Sequence, residues 1–186
     1  MAGAVRLRRR ARDDRDGRPG GVARASGGRA VSDRSPARVV ADADVLAADL
    51  LVGGASRAAL DYLRRHSWTA LVASDPLLDD AEATVAALAD DGLAADWRAR
   101  VESWRDPVDH PAGDHPALAS ALHGGAMHVL SLDDRLTAPD GVVSVRDRVE
   151  TSVREPAAFA RLFDPEALYE AVVGGTYPGP DRDPRE

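Results

Sequence analysis

Three short apolar runs each end within three residues of an acid, and stretches of helical period lie between them. Val39-Val40-Ala41 stops at Asp42, Thr69-Ala70-Leu71-Val72-Ala73 at Ser74-Asp75, and Met127-His128-Val129-Leu130 at Ser131-Leu132-Asp133. Runs this short, with no polar alternation, predict strands buried on both faces rather than helices. A sheet buried on both faces needs a helical layer on each side. The expected class is therefore α/β: three α/β/α layers around a central, mainly parallel sheet of about four to five strands.

The helical stretches follow from caps and periodicity. Val45 to Leu51 predicts a short helix broken by Gly53-Gly54, and Ser56 caps a second helix to about Arg65. Pro76 opens a helix whose Leu77, Leu78, Ala81, Val85 and Leu88 share a face. Further helices are expected from about Ala94 to Trp104, from Pro116 to Gly124-Gly125, and from about Pro156 and Pro165. Residues 106–113 read as a Pro/His/Asp-rich loop, and Val142 to Val145 as a fourth strand.

Charge is divided along the chain. Residues 1–38 carry 11 Arg against four Asp, a net of +7, while residues 39–186 carry 13 Arg against 27 acids, a net of −14. Every basic residue is Arg, and the sequence has no Lys. Such an acidic composition resembles that of proteins from salt-loving archaea, where a Debye length of about 3 Å in molar salt lets carboxylates crowd a surface. The absence of Cys excludes disulfides, thiolate metal sites and cysteine nucleophiles. No run approaches the roughly 18 apolar residues of a membrane span, and the Arg-rich start lacks the apolar core of a secretory signal, so a cytoplasmic location is expected. Residues 1–37 are expected to be a disordered extension, either a basic RNA-binding arm or an artefact of start assignment, with Val31 as the alternative start. The domain is expected over 38–173, with 174–186 as a disordered tail.

In open parallel sheets the functional site lies beyond the carboxyl ends of the strands. Asp42 and Asp44 follow the first run, and Ser74-Asp75 the second, with Asp79, Asp80 and Glu82 in the helix after it. Asp133 and Asp134 follow the third, and Asp114 starts the helix leading into it. Carboxylates brought this close repel, and a divalent cation with hard oxygen preference relieves the repulsion. Each acid read singly is an N-cap or solvated surface; the convergence of four segments is the signal.

Val39-Val40-Ala41-Asp42-Ala43-Asp44-Val45-Leu46 resembles the opening of PIN-domain nucleases, with Asp42 on the first metal-binding acid and Asp44 where Asn or Ser is usual. Ser74 to Asp80 resembles the second motif, with Asp80 at the expected spacing and Asp79 and Glu82 as alternatives. Asp114-His115-Pro116-Ala117-Leu118, its Ala-rich continuation, and Met127 to Asp133 are similar to the third and fourth, Ser131 taking a hydroxyl position. Glu155-Pro156-Ala157-Ala158-Phe159 resembles the start of the closing helix, and the likeness covers roughly residues 38–165. It implies a PIN-like, Rossmann-like fold and a ribonuclease in which Asp42, Asp80, Asp114 and Asp133 hold Mg²⁺ or Mn²⁺. Asp44, Ser131, Asp79 and Asp134 stand behind them as secondary site residues. RNA is the implied partner, and the resemblance leaves open a toxin role with an antitoxin-like protein. Leu132 where Gly is common, Asp in place of the second Glu and a long 146–155 link depart from the pattern, and keep a non-catalytic PIN-like scaffold in view.

Two other readings compete. Asp42-Ala43-Asp44 also fits the nucleophile motif of haloacid dehalogenase-type phosphatases, in which Asp42 attacks phosphorus and Asp44 transfers the proton. That chemistry needs a phosphate-holding cation, for which only Arg98, Arg100 or Arg105 is at hand. Alternatively the sheet is a binding scaffold. Trp97 and Trp104, seven apart on one helix face, then mark either core packing or a homodimer surface. Arg57, Arg64, Arg65, Arg135, Arg146 and Arg148 are the phosphate contacts open to an RNA-binding reading.

Overall fold

The computed structural model describes residues 34–137 and 151–184. Five strands, β1 (Ser35–Ala41), β2 (Ala70–Ser74), β3 (Arg105–Val108), β4 (Ala126–Leu130) and β5 (Ser152–Arg154), form one sheet in the order β3-β2-β1-β4-β5. Every neighbouring pair is parallel. Eight helices among the described residues cover the sheet: α1 (Ala43–Leu51), α2 (Gly54–Arg64), α3 (Asp75–Leu88), α4 (Asp91–Glu102), α5 (Pro116–Gly124), α6 (Asp134–Thr137), α7 (Pro156–Leu162) and α8 (Pro165–Val172). The three-layer α/β/α expectation holds. No helix among the described residues is long and apolar enough to cross a membrane.

The apolar runs are buried for the reason that made them legible. Val39, Val40, Ala41, Leu71, Val72, Ala73, Val129 and Leu130 are all buried, and Leu46, Leu60, Leu63, Leu77, Leu78 and Val85 cover them from the helices. Trp97 belongs to this core. Gly124 lets α5 lie close on β2, because a Cβ there would stand 2.1 Å from Val72 Cγ1. Side-chain caps start four helices, Asp42 for α1, Ser74 for α3, Asp90 for α4 and Asp164 for α8; α2 instead begins at Gly54 after a Gly53 of positive φ, so the expected Ser56 cap lies inside the helix.

Two expectations need correction or fall outside view. The 106–113 stretch is not all loop, since Arg105–Val108 is the edge strand β3. Pro107 lacks an N–H and fits only at such an edge. Residues 142–145, expected as a strand, and Arg146 and Arg148 lie outside the described residues, as does the N-terminal stretch through 33. Residues 174–184 hold no helix or strand, yet they are anchored. His66 Nδ1 stands 2.6 Å from the Tyr62 carbonyl, which can only accept, so Nε2 accepts from the Tyr177 hydroxyl at 2.6 Å. Asp181 takes the Ser67 N–H at 2.8 Å, and the N–H groups of Asp181 and Arg182 donate to the Arg65 carbonyl.

The topology fixes where a site can lie. From β1 the chain builds outward through β2 to β3, then returns to place β4 on the other side of β1 and β5 beyond it. The β1/β4 boundary is the switch point of the sheet, where successive connections leave in opposite directions and open a crevice beyond the strand ends.

Candidate functional site

Asp42 leaves β1 at that boundary and caps α1. One carboxylate oxygen accepts the Ala43 N–H at 2.9 Å, and the other accepts from the Ser131 hydroxyl at 3.1 Å. Ser131, fully buried after β4, also accepts the Asp133 N–H at 3.0 Å. One hydroxyl therefore ties the carboxyl ends of the two central strands together. Asp44, in the first turn of α1, accepts the Leu132 N–H through Oδ2 at 3.0 Å. Its Oδ1 is buried without a hydrogen-bond partner among the described residues.

This arrangement strains the charges. Burial pushes the Asp44 carboxyl above its ordinary pKa and the neighbouring Asp42 pushes it further; N–H groups of Leu132 and Val45 oppose the shift, and Asp133 adds to it. Asp133 goes the other way. The Arg135 guanidinium, 2.6 Å from Oδ2, and the Arg135 N–H hold it down to about 2, with a smaller contribution from His115. His115 is the N-cap residue of α5, so the Asp114-His115 corner comes toward the same edge.

The four acids named from sequence are thus not gathered equally. Asp42 and Asp133 are linked through Ser131, and Asp44 joins them. Asp80 and Asp114 are exposed, and neither carboxylate shares a hydrogen bond or ion pair with this group among the described residues. Asp79 and Glu82 pair with Arg98, at 2.7 and 3.5 Å, and Asp134 is exposed at the start of α6. No group of three or more His, Asp or Glu side chains stands at metal-holding distance among the described residues.

The phosphatase motif is less well served. Both Asp42 oxygens are engaged, and two of its three candidate cations are committed elsewhere. Arg98 is held by Asp79, Glu82 and Glu102, and Arg105 by Asp75, Glu102 and the Ala73 carbonyl at 2.7 Å. Arg100 lines a separate cleft.

That cleft, of about 970 Å³, lies among α1, α2 and α4, and sequence reasoning did not find it. Its organiser is Asp49, buried in α1 and bound by both Arg57 and Arg64. Burial opposes the Arg64 charge, but Asp49 and then Asp61 more than offset it, and the guanidinium is held above its ordinary range. Asp49 and its partners are eight and 15 residues apart on two helices, a spacing with no local signature. Arg57, Arg64 and Arg65, singled out from sequence, meet here, whereas Arg135 is taken by Asp133.

A model of a family of unknown function, DUF7384, matches residues 33–185. The chain belongs to that family. No curated protein and no solved structure matches it. The DUF7384 match starts two residues before β1 and runs through the anchored 174–184 segment, beyond the domain end expected at 173. It covers both the carboxylate edge and the arginine-lined cleft.

Proposed function

We propose that this DUF7384 chain is a divalent-metal-dependent nuclease of PIN-like type that hydrolyses RNA phosphodiesters at the β1/β4 edge. One observation carries the reading. Asp42, Asp44 and Asp133 converge at the topological switch point of a parallel sheet, and a buried oxygen of Asp44 has no partner there. An orphaned carboxylate oxygen beside two like charges fits a hard cation such as Mg²⁺ or Mn²⁺. The proposed holders are Asp42, Asp44 and Asp133, with Asp80 and Asp114, which the resemblance adds, outside the contacting group.

When bound, such an ion would polarise a phosphoryl oxygen and lower the pKa of a water. Ser131 positions Asp42 and the Asp133 backbone together. Leu132 N–H fixes one Asp44 oxygen and leaves the other for the cation. The three side chains do not stand together at metal-holding distance, so Asp133 must leave Arg135, whose side chain is 89% exposed, and move toward the other two to complete the set. On this reading Asp42 keeps one accepted hydrogen bond on each oxygen and offers its remaining lone pairs to the cation.

The test is Mn²⁺-supported cleavage of a structured RNA by the full chain, beside a chromogenic phosphate monoester. The reading expects RNA cleavage that falls by on the order of a hundredfold or more in Asp42→Asn, the scale of losing a group that stabilises the transition state directly. Cleavage indifferent to Asp42→Asn, or turnover of the monoester alone, would contradict it.

A further inference from the structure

The cleft among α1, α2 and α4 inverts the charge of the domain that contains it. Over residues 39–186 acids outnumber Arg by 27 to 13, yet six Arg line this cleft against three Asp: Asp49, Asp61 and Asp183. Two of the six, Arg57 and Arg64, are held by buried Asp49, and Arg105 is held by Glu102 and Asp75. Arg65, Arg100 and Arg182 are exposed and make no ion pair with any described residue. Arg182 has the Asp181 carboxylate for an electrostatic neighbour, but in a chain so rich in carboxylates three guanidiniums outside any ion pair in one concavity leave room for an external anion. The C-terminal segment serves the same end, because the bonds from Asp181 and Arg182 to the Arg65 carbonyl set Arg182 beside Arg65.

An aromatic surface accompanies the charge. Trp104 is half-buried in the cleft wall with the Arg64 guanidinium 5.2 Å from its ring centroid. Guanidinium forks match phosphate oxygens, and a positive groove interleaved with aromatics is the arrangement that tracks a single strand. The volume is at the upper end of what small-ligand pockets reach, about 1,000 Å³, and suits a run of nucleotides better than a lone phosphate. Asp49 is also only seven residues along α1 from Asp42, about 10 Å at the helical rise.

From these features we infer that the cleft is a binding site for single-stranded nucleic acid, with Arg65, Arg100 and Arg182 on its phosphates. The choice of RNA as the natural strand rests on the nuclease reading; the affinity of the cleft for a strand does not.

The experiment is fluorescence anisotropy of a labelled mixed-sequence 12-nucleotide RNA with the full chain in EDTA, over a series of KCl concentrations. EDTA separates the two readings, because binding is measured where no metal-dependent cleavage occurs. Arg65→Ser/Arg100→Ser/Arg182→Ser is expected to weaken binding about tenfold or more. It should also flatten the slope of log affinity against log salt by about 2, at roughly 0.7 per phosphate contact on a single strand. Its thermal melt should match the parent, since none of the three makes an ion pair; should it melt lower, Arg100→Ser and Arg182→Ser singly are expected to flatten the slope by about 0.7 each. Binding of the same-sequence DNA strand or of RNA alone both support the site and name its source. Unchanged affinity and slope in the triple variant, with all binding lost instead in Arg8→Ser/Arg9→Ser/Arg10→Ser of the N-terminal arm, would overturn it. So would equal affinity for duplex RNA, or displacement of the strand by polyglutamate at equal charge, which would point to an acidic polypeptide.

Discussion

Helix α1 and its N-cap carry three aspartates that meet opposite fates. At its start, Asp42 and Asp44 crowd each other and Asp133, and one Asp44 oxygen is left buried without a partner. In its second half, Asp49 is more deeply buried but doubly neutralised by Arg57 and Arg64. Both are aspartates on one short helix in one acidic chain, so neither residue type nor solvent composition explains the difference. A structural carboxylate is compensated within the chain, whereas a carboxylate kept for an external ligand is left at a cost to the fold.

Removing the compensated acid is expected to have the larger effect. Asp49→Ala strips a buried carboxylate from two guanidiniums and should cost about 3 kcal/mol, read from chemical denaturation, because the cations left behind lose their partner. A loss within experimental error would show that Asp49 does not organise the cleft.

The smaller effect has the opposite sign. Asp44→Asn keeps an acceptor for the Leu132 N–H and removes a charge that burial and Asp42 both disfavour. It should stabilise the protein at neutral pH, read from chemical denaturation. The pH dependence follows from linkage. The folded pKa of Asp44 is raised above its unfolded value, so the folded form binds the proton more tightly and the wild type loses stability as pH rises from the unfolded pKa through the folded one. The advantage of Asp44→Asn should therefore appear above that window and vanish below it. An advantage independent of pH would mean that packing, not charge, sets the difference.

The fold was legible from residues because its signals are local. An apolar run without alternation, followed by a capping Asp or Ser, marks both a buried strand and the helix after it, as at Ala41-Asp42 and Ala73-Ser74. β3 escaped because an edge strand pairs on one side only, and Arg105-Asp106-Pro107-Val108 tolerates charge and a proline there. At the site, Asp42, Asp133 and Ser131 are legible as strand ends, whereas the hydrogen bond from the Leu132 N–H to Asp44 joins positions 88 residues apart and has no local signal. Spacing along α3 does not fix which way the exposed Asp80 carboxylate faces. The cleft was invisible because it is assembled from α1, α2, α4 and residues near 182, over a hundred positions apart. The anchored C-terminal segment hid in the same way: its Pro and Gly content predicts irregular backbone, while its partners His66 and Ser67 lie 111 and 114 residues away.

The central claim is that the carboxylates at the start of α1 and after β4 hold a divalent cation, and calorimetric titration of Mn²⁺ into the full chain tests it most directly. The account predicts one saturable site that is lost in Asp42→Asn and in Asp44→Asn, retained in Asp80→Asn, and tightened in Arg135→Ser, where Asp133 no longer has to shed its guanidinium. Weak, unsaturating heat that is the same in all these variants would contradict it and leave the carboxylate edge without a ligand.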